Sequence, residues 1–177
     1  MMKLKRKSIM IVFGSGGHTT EMLMMLGKTN IFEKYGHVHF VIGHSDTWSL
    51  NKVTDYFQKT LQIDINQEVK QKRLTIHRLF RAREVKQSYL TSVFTTLYAM
   101  FDSLRLLVVL QVFSPVDLVL TNGPGTAVPL CYIYFGLTRL MMFNMNSKIL
   151  FIESFCRVQE LSLTAKLLSP IIGRFLV

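Results

Sequence analysis

Apolar residues along the chain fall into short unbroken runs separated by stretches with helical spacing. Residues 8–13 (Ser-Ile-Met-Ile-Val-Phe) are rich in isoleucine and valine and are closed by glycines, which predicts a strand. Runs at 38–43, 61–65, 74–78, 117–121 and 148–152 predict further strands, and another begins near Phe175. Helices are predicted over 19–26, 49–60, 88–113, 127–137 and 162–168. In the first of these, Met22, Leu23, Met25 and Leu26 recur at roughly helical spacing. The long one ends before Pro115 and the last before Pro170. Strands alternating with helices predict an α/β domain with a parallel sheet, in which ligands sit beyond the carboxyl ends of the strands. The 177 residues contain no repeat, low-complexity tract or linker, so a single domain over 1–177 is expected, with 1–7 as a basic N-terminal segment.

Composition narrows the function classes. Hydrophobic residues make up 49% and charged residues 18%, which excludes a disordered chain. Two cysteines exclude a disulfide scaffold. Lysine plus arginine number 21 against 11 acidic residues, a net charge of +10. A basic chain with a mean hydropathy of +0.28 points to an anionic partner: nucleic acid, phosphorylated substrate or membrane surface. The excess is concentrated in Lys3, Lys5, Arg6 and Lys7 and in residues 66–87, which carry Arg81, Arg83 and Lys86. Residues 66–87 lead directly into the long apolar helix, and that juxtaposition favours anionic lipid headgroups or a lipid-linked diphosphate. Nucleic acid is not expected, because no aromatic residues interleave with the basic ones. The stretch 91–113 contains Asp102, Arg105 and Gln111, and reads as a buried or membrane-lying helix; no spanning helix is predicted.

Three loops follow predicted strands. Gly14-Ser15-Gly16-Gly17-His18-Thr19 joins a strand to a helix, where free N–H groups and a partial positive charge favour phosphate. It lacks the third glycine of a dinucleotide fingerprint and the Gly-Lys pair of a Walker A loop. His18 stands at the helix entrance, where the helix dipole disfavours imidazolium. It is either a proton acceptor or a capping or ligand-contact residue. Asn122-Gly123-Pro124-Gly125-Thr126 is a candidate anion nest or an ordinary Pro-Gly turn. Glu153-Ser154-Phe155-Cys156-Arg157 places a carboxylate at a strand terminus, as a sugar-binding or basic group or as a loop partner of Arg157. His37, His39, His44 and His77 show no ligand spacing, so neither a metal nor a cofactor is expected.

These three loops, with Thr20-Glu21-Met22-Leu23 and Arg83-Glu84-Val85-Lys86-Gln87-Ser88, occur in an order that resembles the asparagine-linked glycosylation protein fourteen family. The resemblance spans about residues 8–177. It implies a Rossmann-like domain similar to the N-terminal, acceptor-binding half of a GT-B glycosyltransferase split over two polypeptides. Such a subunit recruits a small donor-binding catalytic subunit to the cytosolic face of the endoplasmic reticulum. The pair adds the second N-acetylglucosamine to N-acetylglucosaminyl-diphosphodolichol from UDP-N-acetylglucosamine, and this chain is expected to be inactive alone.

By motif order, and by similarity to the acceptor half of the bacterial enzyme that makes lipid II, Gly14, Ser15, Gly16, Gly17, Thr19, Asn122, Gly123, Gly125 and Thr126 line the acceptor cleft. His18 and Glu153 are the catalytic candidates, and the base is one of these or a partner residue. Arg81, Arg83 and Lys86 are read from their charge as phosphate contacts. The family usually carries an N-terminal anchor, whereas this chain starts almost at its first strand. Attachment is therefore expected through the basic segments and the apolar helix, or through a partner. Family members also continue past the strand near Phe175 and dock the catalytic subunit there, so the chain reads as short at its C-terminus. Two other readings use the same residues. One is a stand-alone nucleotide- or phosphate-binding module with Asp46 as a ribose-binding acid. The other is a bacterial exopolysaccharide transferase subunit.

Overall fold

A computed structural model describes residues 7–82, 89–141, 144–154, 161–172 and 174–176. Six parallel strands form one sheet in the order β3-β2-β1-β4-β5-β6. They are β1 (Ser8–Val12), β2 (His37–Gly43), β3 (Leu74–Leu79), β4 (Leu118–Thr121), β5 (Lys148–Ile152) and β6 (Arg174–Leu176). The central strands are covered on both faces, which is why they read as continuous apolar runs. Alternation still decides which face each residue serves. Ile9, Ile11 and Phe13 pack under α1 (Gly17–Leu26) and α3 (Thr47–Leu61), against Met22, Leu23, Val53 and Phe57. Met10 and Val12 face α5 (Tyr89–Phe113) and α6 (Ala127–Phe135), against Leu107, Leu110, Leu130 and Tyr134. A π-helical turn, Gly136–Leu140, continues α6. The final helix, α7 (Leu163–Leu168), is capped by the Ser162 hydroxyl, which accepts from the Ala165 N–H at 3.1 Å.

The predicted strand at 61–65 does not form. Leu61, Ile63 and Ile65 alternate as a strand would, but Gln62 turns left-handed at φ 56° and ends α3. Asp64 then accepts from the Asn66 N–H at 2.8 Å and starts α4 (Ile65–Lys70). Satisfying an otherwise orphan N–H while burying Ile65 favours the short helix over an unpaired strand. A second short helix, α2 (Ile31–Lys34), is capped by Asn30 and buries Ile31 and Phe32.

The outward face of α5 is apolar. Ala99, Ser103, Leu107 and Leu110 are buried beneath the helix, while Phe94 is 76% exposed, Phe101 67% and Phe113 82%. Leu97, Leu104, Val108 and Val112 continue this stripe, interrupted by Arg105. The segment Ser92–Phe113 meets the length and apolarity needed to cross a membrane, although no spanning helix is predicted from the sequence. Of the polar residues that weigh against a span, Asp102 accepts from the Phe80 N–H at 3.1 Å and Gln111 is buried. The segment after β3 is tied to α5 as well: the Thr95 and Thr96 hydroxyls donate to the Ala82 carbonyl at 2.7 and 3.1 Å.

Three histidines that look scattered in the sequence meet on the α5 side of β2 and β3. His39 Nδ1 lies 3.0 Å from His77 Nε2, and the His37 and His39 ring centroids are 4.4 Å apart. Burial, reinforced by the neighbouring imidazoles, pushes His39 down to about 3 and His77 down to about 4. Among the described residues no group of three or more histidine, cysteine, aspartate or glutamate side chains is arranged to hold a metal ion.

Candidate functional site

The strand order reverses between β1 and β4, and the two glycine-rich loops leave the carboxyl ends of these two strands. A crevice at such a switch point is the expected ligand site of an open α/β sheet. Gly14 makes the close approach possible: a Cβ there would lie 2.7 Å from His18 Cβ and 2.9 Å from Pro124 Cβ. The loops are also bonded to each other. Asn122 Nδ2 donates to the His18 carbonyl at 2.7 Å. The Thr19 hydroxyl donates to the Gly14 carbonyl and lies 3.0 Å from Ser49 Oγ.

A cavity of about 210 Å3 opens between them, lined by Phe13, Gly14, Ser15 and His18 from the first loop and by Pro124, Gly125 and Thr126 from the second. Gly43, Asp46 and Arg81 close the third side. The Arg81 side chain lies across Gly43, where a Cβ would come within 2.8 Å of Nε. Its Nη2 donates to Asp46 Oδ2 at 2.9 Å. Asp46 is otherwise engaged as the cap of α3, accepting from the Ser49 N–H at 3.0 Å and the Ser49 hydroxyl at 2.8 Å. The cavity therefore presents a guanidinium, the uncapped first turn of α1, the Ser15 hydroxyl and an imidazole. These are donors suited to an anionic oxygen, with one group able to exchange a proton.

The candidates from the sequence divide accordingly. Gly14, Ser15, His18, Arg81, Gly125 and Thr126 meet at the cavity. Gly16 and Gly17 lie beside it at the start of α1. Thr19 and Asn122 are buried, and the Thr19 hydroxyl and Asn122 Nδ2 bond the loops themselves. Gly123 packs against Phe151, away from the cavity lining. Arg83 and Lys86 lie outside the described residues.

Glu153 is buried and absent from the lining, and its two carboxylate oxygens accept from the Ser154 and Ser162 N–H groups at 3.0 and 2.9 Å. It clasps the third loop. The third loop still reaches His18 indirectly. Ser154 Oγ donates to Glu21 Oε1 at 2.7 Å, and Glu21 Oε2 lies 3.8 Å from His18 Nδ1. Sequence reasoning missed Asp46 as the partner of Arg81. It also gave Glu21 no role, because only the fold joins residues 35 and 133 positions apart.

The family model described as oligosaccharide biosynthesis protein Alg14 like matches residues 9–177. The UDP-N-acetylglucosamine transferase subunit ALG14 of Mus musculus is 38% identical over 172 residues, covering 96% of this chain and 74% of the mouse protein. Its counterpart in Homo sapiens is 39% identical over 173 residues, with the same two coverages. That of Schizosaccharomyces pombe is 38% identical over 172 residues, covering 97% of this chain and 75% of the yeast protein.

Proposed function

Because the chain belongs to the Alg14 family of oligosaccharide biosynthesis proteins, we propose that it is a non-autonomous subunit of a UDP-N-acetylglucosamine transferase. It binds N-acetylglucosaminyl-diphosphodolichol at the cytosolic face of the endoplasmic reticulum and recruits the donor-binding subunit to it. The observation that carries this reading is the crevice at the switch point, where two glycine loops, Arg81 and His18 converge. At about 210 Å3 it is smaller than the roughly 300 Å3 at which whole-ligand pockets begin, so it suits a headgroup whose remainder lies elsewhere. A partner chain completes the cleft.

In this reading the first turn of α1 and Arg81 hold the acceptor diphosphate through backbone and charge-assisted hydrogen bonds. His18 takes the proton of the acceptor 4-hydroxyl. The resulting oxygen nucleophile attacks the anomeric carbon of the donor sugar from the face opposite UDP. The bond from that carbon to the UDP oxygen breaks, and UDP leaves with the electron pair. His18 is favoured over Glu153 because it lines the cavity, whereas the Glu153 carboxylate is occupied by backbone donors. Asp46 bonds Arg81 and caps α3, which counts against a stand-alone dinucleotide module with Asp46 on a ribose.

Co-expression with a donor-binding subunit tests the assignment. Transfer from UDP-N-acetylglucosamine to a lipid-linked N-acetylglucosaminyl diphosphate is expected from the pair and from neither chain alone. Equal transfer by either chain alone would defeat it, as would tight NAD binding by the isolated chain.

The outward face of α5 supplies the membrane contact, lying flat on the lipid while its inner face stays on the sheet. Burying a phenylalanine side chain contributes roughly 1.5–3 kcal/mol. Replacing Phe94 and Phe101 together by aspartate should therefore weaken binding to anionic vesicles by at least about tenfold. The melting temperature should be unchanged, because both side chains are exposed. Undiminished flotation of the double variant would place the contact elsewhere.

A further inference from the structure

We infer that Glu21 is the positioning residue for His18, and that Ser154 fixes Glu21 in turn. The inference rests on the reading of His18 as the proton acceptor. His18 and Glu21 are three residues apart on α1 and so share one face of the helix. The His18 side chain is 40% exposed, yet its Nδ1 is buried and, among the described residues, has no hydrogen-bond partner. Among the described residues, the charged group facing that nitrogen is Glu21 Oε2 at 3.8 Å. That is too long for a hydrogen bond, which needs about 2.7–3.2 Å, yet a shift of about 1 Å closes it. Catalytic hydrogen bonds are often long before substrate binds.

The consequence follows from imidazole chemistry. A neutral ring has one N–H and one lone-pair nitrogen, and the partner of one nitrogen sets the state of the other. A carboxylate beside Nδ1 places the proton there and leaves the lone pair on Nε2 of a side chain that lines the cavity. When Nε2 accepts the hydroxyl proton, Nδ1 keeps its own. Glu21 stays ionised and stabilises the imidazolium, the logic of a carboxylate–histidine pair in acyl-transfer enzymes.

The geometry also fixes the carboxylate. Oε1 accepts from the Ser154 hydroxyl at 2.7 Å, and Ser154 is held by the Glu153 clasp. Glu153 thus influences His18 through the third loop, without touching substrate.

The test has two arms. Nitrogen-15 NMR of the full chain, labelled at histidine, reads the His18 tautomer without any activity. The Nδ1–H form is expected to dominate in the wild type and to lose its preference in Glu21→Gln and, more weakly, in Ser154→Ala. In the reconstituted complex Glu21→Gln should lower kcat by roughly tenfold or more, with the acceptor KM within about twofold. The His18→Ala/Glu21→Gln pair should be no slower than His18→Ala. An unchanged tautomer in both single variants overturns the inference. So does a further loss when Glu21→Gln is added to His18→Ala, since Glu21 would then act independently of the histidine. If His18→Ala keeps full turnover, the base assignment fails, while the tautomer still decides whether Glu21 orients the ring. Should Glu21→Gln not fold, Ser154→Ala carries the NMR arm.

Discussion

Replacing His18 by alanine is expected to lower turnover of the reconstituted complex by about 10²–10⁴-fold, the usual contribution of a positioned base. The loss should lie in kcat, with the acceptor KM changed little, because the proposed phosphate donors, the first turn of α1 and Arg81, remain in place. Glu153→Gln should cost much less. The side chain does not line the cavity, and although an amide keeps an acceptor for only one of the two backbone donors, Ser154 or Ser162, that loss bears on the stability of the loop rather than on proton transfer. Steady-state kinetics with varied acceptor separates these outcomes. A rise in KM at constant kcat would make His18 a binding residue. A greater loss for Glu153→Gln than for His18→Ala would move the base to the third loop.

The second large effect is on stability. His39 and His77 titrate at about 3 and about 4 in the folded chain, against about 6.5 when unfolded. Between those values the unfolded chain binds more protons, so acid favours unfolding. The contribution is complete above about pH 6.5 and is lost as the pH falls through the folded values. At pH 5 each histidine should already have cost about 2 kcal/mol relative to pH 7, and the two together should lower the melting temperature by roughly ten degrees. Thermal melts at pH 7 and 5 measure this directly. His39→Gln/His77→Gln should melt with much less difference between the two conditions. An equal drop in that variant would assign the acid sensitivity to other groups.

The legible parts of this molecule are those encoded locally. The strands at 38–43, 117–121 and 148–152 lie within a residue of β2, β4 and β5, because a sheet covered on both faces needs long apolar runs. The first two loops are announced by glycines that allow backbones to come within contact distance, as at Gly14. What stayed hidden depends on register and topology. Two short helices, α2 and α4, contain too few residues to show a period, and the alternation at Leu61, Ile63 and Ile65 imitates a strand. The histidine cluster exists only because β2 and β3 align Val41 with His77 and His39 with Thr75. Glu153 is conspicuous in the sequence, yet its burial and its two backbone donors are properties of a folded loop.

The hydrogen bonds from Thr95 and Thr96 to the Ala82 carbonyl join α5 to the residue next to Arg81. If the outward face of α5 rests on lipid as proposed, that junction acts as a ruler. In the proposed function it would set the height of the Arg81 guanidinium above the bilayer at a fixed offset from the helix. The proposed prenyl-linked acceptor would then meet the crevice by lateral diffusion, with its tail still dissolved in the membrane. The search becomes two-dimensional, and the tail never has to enter water.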